Sequence, residues 1–226
     1  DGVGKALYTH NHNAAEHNIF VPASLPDEKV RVQPLSLTAQ GIKARITELI
    51  IPSPDRNAPR CDAFPTCGGC RFQHWDEISI RNWKQNLVIS FLDQANVPIG
   101  EMRPFYSSPP KSRRRARFHL KCLGSGAIVG FREHMGQHII VPSGCVILHP
   151  ALMNLRAELQ KFASANFPTG FAADAHANLL DQRSGSPDHG NICLYLKPTS
   201  SVQPFSSDLL VKLGEWAARM NLARLS

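Results

Sequence analysis

The stretch SRRRARFHLKC, residues 112–122, constrains this chain more than any other. Side chains of a β-strand alternate between two faces. Read as a strand, the stretch puts Arg113, Arg115, Arg117, His119 and Lys121 on one face, and Ala116, Phe118, Leu120 and Cys122 on the other. The second set needs a core. The first is a row of like charges, mutually repulsive unless a polyanion lies across it, and no run of acidic residues stands nearby in the sequence to pair it. The segment therefore belongs in a sheet with one buried and one open face. Arginine suits phosphate, because its planar fork matches the phosphate oxygens. Arg132, in GFRE on the next expected strand, extends the row. With Arg114 of the same stretch, the candidate nucleic-acid contacts are Arg113, Arg114, Arg115, Arg117, Lys121 and Arg132.

The charge balance points the same way. The net charge of +7 is uneven: residues 61–150 hold eleven Lys/Arg against six Asp/Glu, whereas residues 1–60 and 151–226 each hold seven against six. A local basic excess is a footprint of nucleic-acid binding. No apolar run reaches the 18 or so residues of a membrane helix, and no secretory leader is recognisable. Six cysteines in 226 residues are too sparse for a disulfide-stapled secreted domain. The reading is a cytoplasmic protein with no membrane association and no evident obligate protein partner. The chain opens on Asp1 and stops at NLARLS, where a new apolar stretch begins; it reads as a piece of a longer protein.

Short β-branched segments punctuated by Pro22, Pro26 and Gly41 fill the first fifty residues and predict a small β-barrel over 1–52. A linker with three prolines follows (52–59), and residues 53–226 read as a second, α+β domain. Apolar periodicity predicts helices over 76–96, 150–165 and 207–220. Between the first two, strands at 114–122, 127–132 and 137–142 predict an antiparallel meander. A further hairpin is expected from 176–182 and 191–197, joined by the loop RSGSPDHG. His10, His12 and His17 read as part of a polar hairpin loop. Neither G-x-G-x-x-G nor G-x-x-x-x-G-K-[ST] occurs, and no catalytic residue is assigned.

The segment CDAFPTCGGC, residues 61–70, places Cys61, Cys67 and Cys70 within ten positions. Gly68 and Gly69 leave room for a tight turn. Three soft ligands need a fourth. His74 completes a local Cys₃His set suited to zinc; Cys145, in PSGCVIL, completes a Cys₄ set suited to an iron–sulfur cluster. Cys122 and Cys193 fall in apolar strand patterns and read as inert thiols. Spacing alone does not separate zinc from iron–sulfur.

Taken together, CDAFPTCGGCRFQHW (61–75), WKQNLV (83–88), SRRRARFHL (112–120), GFRE (130–133) and GCVILHPAL (144–152) resemble the iron–sulfur-containing bacterial 23S rRNA (uracil-C5)-methyltransferases. DGVGKA and IFVPASLPDEKV (19–30) are similar to that family's N-terminal TRAM domain, a small RNA-binding barrel. The resemblance implies a [4Fe–4S] cluster on Cys61, Cys67, Cys70 and Cys145, and 23S rRNA as partner. It also implies methyl transfer from S-adenosylmethionine to C5 of a uridine, after a cysteine thiolate adds to C6. None of the six cysteines matches the motif of that nucleophile. The expectation is therefore an α+β chain, TRAM-like at 1–52 and iron–sulfur at 53–226, that recognises RNA. The Rossmann-like methyltransferase domain is expected to be missing, its S-adenosylmethionine site with it, the helix at 76–96 is expected to pack on that domain, and the piece alone is expected to be inactive. Two rival readings stay open: a zinc-dependent nucleic-acid-binding module, and an iron–sulfur redox protein.

Overall fold

The computed structural model describes residues 3–8, 17–180, 192–200 and 206–226. His10, His12 and the loop of residues 183–190 lie outside the described residues. The chain divides into two compact units that interleave in sequence: Asp1–Arg60 with Cys70–Ser107, and Cys61–Gly69 with Ser108–Ser226. The sequence-based division at residue 52 is consecutive; the structural one is not.

The first unit holds strands β1 (Val3–Tyr8), β2 (His17–Pro22), β3 (Lys29–Thr38) and β4 (Gly41–Ile51), and helix α1 (Glu77–Gln94). Its sheet has the order β1-β2-β4-β3. The β1–β2 and β3–β4 pairs are antiparallel, whereas β2 runs parallel to β4. The expected small barrel is corrected here. The sheet is mixed, and among the described residues its outer strands, β1 and β3, do not pair. Ile19, Val21 and Ala44 form a small core, with Val32, Ile42 and Ile46 packed on it. The β3–β4 hairpin closes at Gly41, whose φ of +138° suits glycine alone; a Cβ there would lie 2.3 Å from the Asn18 carbonyl oxygen. Helix α1 starts at Asp76, whose carboxylate accepts from the Ile78 and Ser79 amides at 2.9 and 3.0 Å. None of its residues is buried. Trp83 joins Phe72 and Trp75 in a ring cluster with centroids 5.5–6.2 Å apart.

The second unit contains β5 (Arg115–Leu123), β6 (Gly126–Arg132), β7 (Ile139–Ile140), α2 (Pro150–Asn166), β8 (Ala172–Leu179), β9 (Ile192–Pro198), α3 (Ser207–Arg219) and β10 (Leu222–Leu225). They form a six-stranded sheet in the order β10-β9-β8-β5-β6-β7. The expected antiparallel sheet is corrected too: β10 runs parallel to β9, reached through α3, and only the other pairs are antiparallel. The apolar sides of β5, β6, β8 and β9 share one core with Leu152, Leu155 and Leu159 of α2 and with Leu209, Leu213 and Trp216 of α3. Ala173, Ala175 and Ala177 of β8 face this core and leave volume for the leucines of α2. Each such leucine contributes roughly 1.5–3 kcal/mol by burial. Both helices pack on the apolar side of the sheet, so the polar side of β5 is left to the basic residues.

Candidate nucleic-acid interface

Strand β5 presents the alternation expected of it. Phe118, Leu120 and Cys122 are buried, whereas Arg115, Arg117 and Lys121 are exposed. The side chains of Arg115 and Lys121 make no hydrogen bond or ion pair with the described residues.

The row is not without an acid. Asp174 of β8 stands opposite His119 in the register and is 6% exposed. Its Oδ2 accepts from the Arg117 guanidinium at 2.6 Å and its Oδ1 lies 2.6 Å from His119 Nδ1. Burial raises the Asp174 pKa, but the Arg117 hydrogen bond and the His119 and Arg117 charges outweigh it, and the carboxyl sits below its ordinary value. His119 is also held below its ordinary value. Burial lowers it, Asp174 pulls it back up, and Arg132 and Arg117 push it down again. The short His119–Asp174 distance alone would suggest an imidazolium. Burial of the ring, with two guanidiniums beside it, favours the neutral form instead, with Nδ1–H assigned as donor to the carboxylate. Asp174 lies 57 residues beyond Arg117, which hid it from local sequence reasoning.

The remaining candidates divide. Arg132, exposed at the end of β6, bonds Gln137 and lies 3.5 Å from His119 Nδ1. Arg113 precedes β5 and donates to the Gly69 carbonyl at 3.3 Å. Arg114 has the opposite parity. Its guanidinium donates to the Leu179 carbonyl at 3.2 Å and to that of Leu180, pinning β5 to the end of β8. Arg113, Arg114 and Arg115, with Ser108, Ser112 and Ile147, line a cavity of about 550 Å³ at the start of the strand. Cations around a cavity of this size can receive a phosphate.

The cysteine loop is stitched onto the same unit. Gly68 N–H donates to the Arg132 carbonyl at 2.9 Å, His134 N–H to the Thr66 carbonyl at 2.8 Å, and Cys67 bridges to Glu133. A Cβ on Gly68 would lie 2.8 Å from the Arg132 oxygen, so glycine permits the approach. Ser143 bonds the Asp62 carboxylate, and Cys61 Sγ lies 3.9 Å from the Gly144 carbonyl oxygen, one residue before Cys145. Cys61, Cys67 and Cys145 thus belong to the second unit; Cys70 follows Gly69 directly in the chain and falls in the first. Their donor chemistry suits a cluster. Among the described residues no group of three or more His, Cys, Asp or Glu could hold a metal ion. Cys61 Sγ lies 3.8 Å from Asp62 Oδ1 and 3.9 Å from the Gly144 carbonyl oxygen, and Cys67 Sγ accepts from the Gly69 amide at 3.5 Å. His74, the rival zinc ligand, is 1% exposed in the first unit, and burial holds its pKa down. Cys122 is buried, and burial raises its thiol pKa, as expected of an inert thiol. No helix among the described residues is long and apolar enough to cross a membrane.

No protein-family model matches the chain. In sequence it is similar to RNA methyltransferases. It is 34% identical over 146 residues to an uncharacterized RNA methyltransferase of Caulobacter vibrioides, covering 64% of this chain and 34% of that protein. It is 32% identical over 161 residues to a 23S rRNA (uracil(1939)-C(5))-methyltransferase of Chromohalobacter salexigens, covering 71% of this chain and 33% of that one. The chain spans about a third of the length of these curated relatives. In fold it is similar to the Pyrococcus abyssi tRNA (uracil-54, C5)-methyltransferase, solved in complex with S-adenosyl-L-homocysteine. That match has a TM-score of 0.54 at 15% identity and covers 92% of this chain and 48% of the other. It corrects the expectation that the methyltransferase fold is missing: 92% of this chain aligns with a uracil-C5 methyltransferase. The expectation of an inactive piece loses its basis with it.

Proposed function

We propose that the protein carrying this chain is an S-adenosylmethionine-dependent 23S rRNA (uracil-C5)-methyltransferase, and that the polar face of β5 and its neighbours holds the RNA. The observation that carries the second half is one exposed sheet face with Arg115, Arg117, Lys121 and Arg132, whose acid, Asp174, is buried and already partnered. Such a face has unspent positive charge for phosphates. Its relatives' names support the first half. Methylation at C5 expels the C5 hydrogen, so the test uses 23S rRNA carrying tritium at C5 of uridine. With S-adenosylmethionine, the full-length product should release tritium to water, and release should fall when Arg115 and Arg117 become alanine. No release at any uridine, with bound RNA demonstrated, would overturn the assigned reaction.

The cluster enters as a second proposal, favoured by the contacts that tie residues 61–62 to residues 143–144. Ligation would replace the present contacts of the Cys61 and Cys67 thiols. Anaerobically prepared protein should then contain roughly four iron and four sulfide per chain. One zinc and no sulfide would refute it.

A further inference from the structure

We propose that His176 and Tyr195, side by side on β8 and β9, form a base-stacking station for single-stranded RNA beside the phosphate-binding row. This rests on the reading of β5 as the RNA face and extends it across two further strands.

The register supplies the geometry. Arg117 pairs with His176, and His176 with Tyr195, so the three residues lie on one line across β5, β8 and β9. Side chains directly opposite one another share a face; the two rings therefore belong to the polar face of Arg117. Two strand spacings separate Tyr195 from Arg117 at the backbone, roughly 10 Å. A nucleotide whose phosphate rests on Arg117 can lay its base over the rings. The ring centroids are 6.0 Å apart and tilted by 45°. Tyr195 is 48% exposed, so its ring is open to a ligand.

Charge selects the occupant. Lys197 stands opposite Asp174 and Arg224 opposite Cys193, each exposed, so cations continue past the rings on β9 and β10. Asp174 is the acid on this line of strands, and it is buried against Arg117 and His119. An aromatic ring between rows of cations fits a polyanion with flat, unpaired bases. A duplex hides its bases, whereas single-stranded RNA offers them to aromatic side chains. An acidic protein would use the cations and leave the rings without a partner.

The experiment measures binding of an unstructured oligoribonucleotide with 2-aminopurine at one position, and of the same strand made abasic there. Tyr195→Ala should weaken binding of the intact strand roughly 5- to 150-fold, the loss of one stacked base, and abolish its fluorescence quenching. The slope of log K against log salt should stay unchanged. Tyr195→Phe should bind like wild type. Tyr195→Leu, which keeps an apolar side chain on the strand, should behave like Tyr195→Ala. Equal losses on intact and abasic strands, or no loss, would overturn the station. If the station fails while Arg115→Ala and Arg117→Ala still flatten the salt slope, the phosphate face stands without it. If all these variants are silent, both readings fall. Binding of an acidic peptide that is as tight and as Tyr195-dependent as RNA binding would also overturn it.

Discussion

Replacing Asp174 by alanine should destabilise the second unit and change how its stability depends on pH. The carboxylate is 6% exposed and holds two partners at 2.6 Å. A hydrogen bond to a charged group contributes about 1.5–3 kcal/mol. The Arg117 side chain is 57% exposed, so its share is discounted to well under 1 kcal/mol for solvent screening. The His119 side chain is only 12% exposed; its Nδ1–H, left without an acceptor, costs about 1–3 kcal/mol. The sum is about 1–4 kcal/mol, or a Tm lower by roughly 2–15 °C for a chain of this size. The pH dependence has a fixed sign. Asp174 is depressed in the folded protein, so its contribution is present above the unfolded value near 3.9 and lost as pH falls through the lower folded value. His119 is depressed as well, so the unfolded chain takes up its proton first, and stability falls as pH drops from about 6.5 towards the folded value. In Asp174→Ala its share of the acid limb should vanish, leaving the shallower limb of the other depressed carboxyls, such as Glu28 and Asp76. The His119 limb should start at the same pH and run to lower pH, because the carboxylate that pulled its folded pKa up is gone. Thermal melts from pH 3 to 8 measure both effects. Superimposable curves for wild type and variant would refute the reasoning.

Gly130→Ala should unzip β7 from β6, because a Cβ there would lie 2.3 Å from the Ile140 carbonyl oxygen and 2.9 Å from Ile139 Cγ2; hydrogen exchange should lose protection at Phe131 and Ile140, and unchanged protection would contradict it. Leu155→Ala, fully buried between α2 and the sheet, should cost about 2–5 kcal/mol in denaturant unfolding. Asp76→Ala should cost about 1 kcal/mol through the lost α1 cap, and Asp76→Ser should recover most of it.

Much of this fold was legible because periodicity reports local structure directly. All three helices and β5, β6 and β9 follow their apolar patterns closely. Strand β8 was half hidden: Ala172, Ala173, Ala175 and Ala177 carry little strand preference of their own, and the segment becomes a strand between β5 and β9. The parallel pairs β2–β4 and β9–β10 depend on contacts distant in sequence, which no local pattern encodes. In α1, Ile80, Trp83, Leu87 and Phe91 recur at three- and four-residue steps, a period that reports a helix but not burial, and none of the four is buried. At the interface, the alternation of β5 was readable, while Asp174, His176 and Tyr195 join it only through strand order. Arg114 shows the limit of composition: it sits in the arginine run yet caps backbone carbonyls.

The central claim, that this sheet face holds RNA through its phosphates, is tested most directly by the salt dependence of binding. Arg115→Ala, Arg117→Ala and Lys121→Ala together remove three cations from the exposed side of β5. For a single-stranded oligoribonucleotide, the slope of log K against log salt should flatten by about 2, or 0.7 for each lost contact. A triple variant that binds more weakly with an unchanged slope, or binds as wild type does, would contradict the account.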